Sequence, residues 1–294
     1  MRRNELMNQI IRISAITLSG ALLLAGCGSS STASAPAAAT AASSASADSG
    51  KQTLRVGMEC NYAPFNWSST TKSDTAQPIS DVDYCDGYDV VMAETLADKM
   101  GYGVQIVKLD WDNLILSLQN NQIDAIIAGM TDTPDREKEI DFTTPYYVSE
   151  EVVIVRADSD LASITDIQQL SGYKVQGQMN TIYDEVIDQI QGVDHQPAAE
   201  TFPASIQALQ AGGVDAVVSE LPVANGVVAA NPDLAIVRFE EGHGFEADSS
   251  VSIGVSKDNT DLKDKLQSAL DTISEDERQQ MMQDAVDRQP ATEE

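Results

Sequence analysis

The chain has 294 residues, with 46 Asp and Glu against 18 Lys and Arg, for a formal net charge of −28. Gripping a phosphate backbone demands a basic surface, so this balance argues against nucleic acid as a partner; carboxylates in such number read as a solvated exterior. The only two histidines, His195 and His243, stand far from each other and from the cysteines, which gives neither a metal-ligand spacing nor a Cys–His nucleophile, and no cofactor is expected.

Residues 1–26 have the layout of a secretory signal. Arg2 and Arg3 precede an apolar run over 13–25, which Ser14, Thr17, Ser19 and Gly20 interrupt and which falls short of the ~20 residues a spanning helix needs. The run ends in Leu24, Ala25, Gly26 and Cys27, which resemble a bacterial lipobox. That resemblance implies a diacylglycerol thioether on Cys27 and a chain anchored at the extracytoplasmic face of the cell membrane. Residues 27–50 are almost wholly Ser, Ala, Thr and Gly, with no apolar periodicity, and predict a flexible tether with a root-mean-square span of roughly 25–30 Å.

From residue 51 onward, strand-like and helical runs alternate, which predicts an α/β fold with mostly parallel sheets. Residues 54–58 read as a strand. Residues 88–100 read as a helix with Met92, Leu96 and Met100 at four-residue spacing and Gly101 as its C-cap. A strand over 104–109, a helix over 112–119 with Leu114 and Leu118 inward, and a buried strand over 123–128 follow. With Cys27 committed to lipid, Cys60 and Cys85 remain, and an even remainder in an oxidising compartment predicts one bridge stapling the polar stretch 68–83; two unrelated buried thiols are the alternative, since spacing alone does not fix pairing.

Residues 118–127 align without a gap on 209–218, each a helix end, a turn and a strand opening with Asp-Ala. Two such units predict two related lobes, although common helix-turn-strand grammar could give the same match. Ligands of open α/β sheets sit beyond the carboxyl ends of strands, so the site is expected at Gly129-Met130-Thr131 and at Glu220. Thr133 as N-cap, Pro134 at the first helical position and Arg136 beside them form an anion-binding turn for a carboxylate. Glu220 is free to accept an ammonium. An α-amino acid carries both charges. The competing role for Arg136 is a solvent salt bridge with Asp132, Asp135 or Glu139.

The segments 57–67 (Gly-Met-Glu-Cys-Asn-Tyr-Ala-Pro-Phe-Asn-Trp), 87–90 (Gly-Tyr-Asp-Val), 128–136 (Ala-Gly-Met-Thr-Asp-Thr-Pro-Asp-Arg) and 141–147 (Asp-Phe-Thr-Thr-Pro-Tyr-Tyr) occur in an order and spacing that resembles the family 3 solute-binding proteins. These are amino-acid receptors of ATP-binding-cassette importers. The resemblance implies a type II periplasmic-binding-protein fold, two α/β lobes joined by two hinge strands with a ligand cleft between them. The hinges then fall near 146–150 and 245–249. Lobe 1 comprises 51–147 and a return segment within 246–294, and lobe 2 comprises 148–245. It also implies that Arg136 and Thr131 hold the ligand carboxylate, and that the Gly129 carbonyl and Glu220 take the ammonium. Met130 lies between those two positions. Tyr62 and Trp111 sandwich the ligand side chain, Glu59 faces its tip, and Gln178 and Thr181 serve from the second lobe. Phe65 and Trp67 are expected to pack beneath the cleft.

The chain departs from the family pattern at Asn180, where a glycine is usual, and at Val91, where an acidic residue is usual. The insertion 68–83 is long, and the ending from Ser274 lacks the usual glycine-tyrosine. Glu59 predicts a long ligand side chain bearing N–H donors, with arginine or lysine first and glutamine, histidine or cystine as alternatives. If Glu59 instead turned away to bond an amide near Cys60, it would say nothing of the ligand. The implied protein is a monomeric binding protein that partners a membrane permease, and it is not an enzyme. A fold-related cyclohexadienyl dehydratase is the alternative, disfavoured by the intact ammonium partner Glu220. A sensory ligand-binding domain is another, disfavoured because no signalling segment is read after Glu294.

Overall fold

The computed structural model describes residues 51–290; the expected signal segment, Cys27 and the tether lie outside the described residues. Strand β1 (Thr53–Met58) is followed by a small four-stranded sheet of β2 (Asn61–Tyr62), β3 (Asn66–Ser69), β4 (Gln77–Pro78) and β5 (Tyr84–Asp86), in the order β2-β3-β5-β4. Cys60 and Cys85 are joined by a disulfide, their Cα atoms 5.7 Å apart, which pins the polar insertion to β1. Within the insertion, Ser73 and Thr75 hydroxyls donate to the buried Asp86 carboxylate.

Helix α1 (Tyr88–Met100) runs where the Met92, Leu96 and Met100 spacing places it, and ends at Gly101 in the left-handed conformation, φ 74°. Gly87, just before it, has φ 134°, and a Cβ there would lie 2.3 Å from the Phe65 carbonyl oxygen, so only glycine fits. Next come β6 (Gly103–Lys108), a 3₁₀ turn over Trp111–Asn113, α2 (Leu114–Gln119), β7 (Ala125–Ile126), the one-turn α3 (Arg136–Glu139) and β8 (Asp141–Phe142).

Strand β9 (Tyr147–Val148) leads into the second lobe: β10 (Glu151–Arg156), β11 (Lys174–Gln176), α4 (Ile182–Glu185), β12 (Asp194–His195), α5 (Phe202–Gln210), β13 (Ala216–Glu220), α6 (Leu221–Ala230) and β14 (Leu234–Val237). The chain returns through β15 (Ser250–Val251) and β16 (Gly254–Val255), and closes with α7 (Thr260–Leu270) and α8 (Glu275–Arg288).

The two main sheets are ordered β6-β1-β7-β16-β8 and β12-β11-β13-β10-β14. The sheets are mostly parallel as expected, four of five strands in each running one way, but each contains one reversed strand. In the first sheet β1 pairs β6 and β7 in parallel, but β16 runs antiparallel to β7 and β8. In the second, β11 is parallel to β12 and β13, while β10 is antiparallel to β13 and β14. The reversed strands, β10 and β16, are the ones the chain enters on crossing between lobes, so they thread their sheets from the opposite end. The crossing itself is the antiparallel ribbon of β9 and β15, with Tyr147 opposite Val251 and Val148 opposite Ser250. Its second strand lies a few residues later than 245–249.

Helix α8 packs on α1 of the first lobe and α6 of the second at once. Ser274 and Glu277 form a capping box at its start. Arg278 donates to the Pro145 carbonyl at 3.0 Å, and Arg288 lies 3.3 Å from Asp86. The usual family ending is missing, yet a capped, half-buried helix takes its place.

Candidate functional site

Both lobes wall a tight cleft with about 20 Å³ of interior room, lined by Glu59, Tyr62, Trp111, Ala128, Gly129, Thr131, Arg136, Gln178, Thr181, Ile182 and Tyr183. The first lobe supplies residues at the carboxyl ends of its strands: Glu59 after β1, and Ala128, Gly129 and Thr131 after β7. The second supplies the turn between β11 and α4, where Asn180 takes a left-handed φ of 59°, as its short amide side chain allows.

The Arg136 guanidinium is held in place by backbone carbonyls. Its Nη1 donates to the Thr131 carbonyl at 2.8 Å and its Nη2 to the Asn180 carbonyl at 2.9 Å, while the guanidinium lies 5.2 Å from the centre of the Trp111 ring. Burial depresses its pKa from the ordinary value. Among the described residues Arg136 has no salt bridge, so Asp132, Asp135 and Glu139 do not occupy it. The anion turn differs in detail from expectation. Thr133 caps as expected, its Oγ1 accepting from the Arg136 N–H at 3.3 Å and its carbonyl from the Glu137 N–H at 2.9 Å, but the regular helix that follows is only the one turn Arg136–Glu139. The guanidinium, not a helix end, carries the positive charge.

Glu59, also in the lining, is only 7% exposed. Burial raises its pKa, hydrogen bonds from Asn61 and Gln178 oppose that, and Asp110 and Asp112 add like charge. Gln178 Nε2 stands 3.5 Å from Glu59 Oε2. The amide of Cys60, which could have drawn Glu59 away, is taken by Asn66 at 2.7 Å.

Tyr62 forms the floor. Its ring stacks on Phe65 with centroids 5.6 Å apart and meets Phe202 edge-on. Gly129 packs against that ring, where a Cβ would come within 3.4 Å of it. Tyr62 Oη donates to Glu220 Oε1 at 2.6 Å. Glu220 is fully buried at the end of β13 behind Tyr62, and its Oε2 has no hydrogen-bond partner among the described residues. Burial pushes this carboxyl up to about 7, against the Tyr62, Tyr183 and Ser149 hydroxyls that favour its charged form. Phe65 and Trp67 are buried beneath the cleft.

Eight of the ten sequence-derived ligand residues therefore line one cleft, and two do not. Glu220 stands one layer back. Met130 is buried, passes its carbonyl to the Ser252 N–H at 2.8 Å, and borders a separate outer depression with Trp111, Asp112 and Asn180. Ala128, Ile182 and Tyr183 line the cleft without having been singled out. Tyr183 had a usable signal, since it lies two residues beyond Thr181 in the first turn of a helix opening onto the site.

Four polar contacts cross the cleft beside Tyr62–Glu220 and Gln178–Glu59, or share its rim. Trp111 Nε1 and Arg136 Nη2 both donate to the Asn180 carbonyl, at 3.1 and 2.9 Å, and Asn180 Nδ2 donates to Asp112 at 2.7 Å. Thr181 Oγ1 donates to the Gln178 carbonyl at 2.7 Å, stiffening the second-lobe turn. No cluster of three or more His, Cys, Asp or Glu among the described residues is arranged to hold a metal.

A family model for bacterial extracellular solute-binding proteins, family 3, matches residues 54–285. The arginine-binding extracellular protein ArtP of Bacillus subtilis (strain 168) is 28% identical over 254 residues, covering 84% of this chain and 86% of its own. The L-cystine-binding protein TcyJ of Escherichia coli (strain K12) is 29% identical over 226 residues, covering 76% and 78%. Among solved structures, an ancestral arginine-binding protein bound to arginine superposes with a TM-score of 0.66 at 30% identity, covering 80% of this chain and 98% of that one.

Proposed function

The chain belongs to the bacterial extracellular solute-binding proteins of family 3, and from that premise we propose that it captures a cationic amino acid, arginine first, and delivers it to the permease of an ATP-binding-cassette importer. The observation that carries this reading is the polarity of the cleft. Arg136 stands in one wall and the buried Glu59, with Asp110 and Asp112 nearby, at another. A zwitterion with a cationic tail matches that arrangement charge for charge. Its carboxylate goes to Arg136 and Thr131, its ammonium to the Gly129 carbonyl with Glu220 supplying negative charge from one layer behind Tyr62, its stem between Tyr62 and Trp111, and its guanidinium to Glu59 and Gln178. An aspartate or glutamate ligand would place a second anion against Glu59, and an apolar one would leave that carboxylate buried and unpaired.

The names of the relatives support an amino acid as cargo and a binding protein in place of an enzyme. The protein acts as a monomer, with residues 51–147 and 246–294 forming one lobe and 148–245 the other. The signal segment 1–26 is removed, and the lipid on Cys27 with the tether 27–50 keeps the cleft near the permease.

A thermal-shift screen of the twenty amino acids and cystine tests the cargo, since a ligand at a hundred times its Kd adds about 2.7 kcal/mol of stability. Arginine should give the largest shift, lysine next, with aspartate and leucine inert; arginine should be recovered unchanged after incubation. A largest shift from an acidic or apolar amino acid would refute the reading. For the anchor, Cys27→Ser should abolish incorporation of labelled fatty acid and release the protein from the membrane fraction.

A further inference from the structure

Glu151 opens β10 just beyond the hinge ribbon and stands directly opposite Glu220 in the antiparallel pairing of β10 with β13. Residues directly opposite in such a pair share a face of the sheet, with Cβ atoms about 4.5–5.5 Å apart. Each carboxylate has one buried oxygen without a hydrogen-bond partner, Oε1 of Glu151 and Oε2 of Glu220. Around Glu220 stand Tyr62, Tyr183 and Ser149, with Asp89 and Tyr147 farther off; around Glu151 stand Glu220, Asp248 and Glu150. All are acids or neutral hydroxyls. Arg238 is engaged with Glu150. Glu220 is fully buried and Glu151 partly so, and like charges facing each other across one strand pair disfavour ionising both at neutral pH.

We propose that Glu151 and Glu220 act as a one-proton pair at the ammonium end of the cleft, and that the ligand ammonium displaces this proton on binding. The exchange rests on the amino-acid reading above; the pair itself does not. In the exchange, the shared proton leaves Glu220 for solvent, and the bared carboxylate, one layer behind Tyr62, balances the –NH₃⁺ of the ligand held at the cleft, with no covalent bond made. Glu151 is then a positioning residue: it touches no ligand, and sets the pH at which Glu220 becomes a competent anion. Burial likewise pushes Glu151 up to about 7, and Glu220 raises it further.

The first measurement uses ligand-free protein: carboxyl ¹³C NMR of glutamate-labelled protein from pH 4 to 9, with resonances assigned through Glu151→Gln and Glu220→Gln. The pair should titrate in two coupled steps, the upper near neutrality, and Glu151→Gln should bring the Glu220 step to lower pH. Two independent titrations below pH 5 would overturn the pair, and the wild-type spectrum alone decides this even where a variant folds poorly. The second measurement is arginine calorimetry in buffers of differing ionisation enthalpy. Wild type should release about half a proton or more per arginine near pH 7, with affinity falling about tenfold per pH unit below the upper step. Glu151→Gln should release less and hold its affinity to lower pH. Arginine binding with no proton release would overturn the exchange and leave the cargo reading standing. Failure of every amino acid to bind would sink that reading and the exchange together, while the NMR still decides the pair.

Discussion

Replacing Glu59 with glutamine removes the charge at the tip of the cleft while keeping its size and its hydrogen-bonding distance to Gln178. A hydrogen bond to a charged group contributes about 1.5–3 kcal/mol against about 0.5–1.5 for a neutral pair, so the difference is about 1–2 kcal/mol. That is roughly 5- to 30-fold in Kd for a guanidinium ligand. The upper part of that range is expected, because Glu59 is 7% exposed and little screened. A ligand ending in a neutral amide loses far less, so the arginine-to-glutamine preference should fall by about tenfold. The ligand-free protein should respond in the opposite sense. The pKa of Glu59 is raised in the folded state, so its ionisation opposes folding as pH rises beyond its unfolded value of about 4.3. Glu59→Gln should thus melt higher than wild type at pH 7 and converge with it near pH 4. Paired calorimetric titrations with arginine and glutamine, and melting curves without ligand, measure both. An unchanged preference would refute the placement of Glu59 at the ligand tip.

Arg136→Ala should keep the fold and lose binding: removing one partner of a buried charge pair costs about 2–5 kcal/mol, or roughly 30- to several-thousand-fold in Kd, and calorimetry showing near-wild-type affinity would exclude Arg136 from the site. Asp89, Glu151 and Glu220 are pushed up to about 7 by burial, and His195 is raised through hydrogen bonds to Asp184 and Asp188 that outweigh its desolvation. The folded chain therefore holds more protons than the unfolded one between about pH 4 and 7, and the ligand-free melting temperature should fall as pH rises from 5 to 8; a rise over that interval would contradict the burial of these carboxylates. Reducing the Cys60–Cys85 bridge, whose ends have a sequence separation of 25, should cost about 3 kcal/mol by loop entropy, read as a lower urea midpoint, and the intact domain should weigh two protons less than the dithiol.

What could be read from the chain was local. The four-residue spacing of Met92, Leu96 and Met100 and the stop at Gly101 define α1 to the residue, because periodicity and a left-handed cap act within one turn of helix. The run 123–128 shows only that it is buried, and the structure pairs just Ala125 and Ile126 within it. The Asp-Ala strand opening after α2 does lead to the cleft, at Ala128 and Gly129, while the one after α5 leads to Glu220, one layer back, since strand polarity decides on which edge a loop emerges. Contacts across long separations could not be read. Nothing near Tyr62 in sequence announces that its hydroxyl meets Glu220, 158 residues later. Nor does anything near Glu151 announce its partner, because register between β10 and β13 depends on the whole lobe. The reversal of β10 and β16 escaped for the same reason: hydrophobic pattern reports burial and not direction.

Asn180 gathers three bonds to the opposite wall onto one exposed residue, two through its carbonyl and one through its side chain. Each exists only when the lobes are together, so this single residue weights the balance between shut and open molecules before any cargo arrives. A receptor's observed Kd equals its intrinsic value divided by the fraction already in the competent form. A glycine at this position would remove only the bond to Asp112, and with it part of that weighting, at no loss of any group that touches the amino acid. Scavenging strength can thus drift through evolution by one rim substitution while the choice of cargo stays fixed.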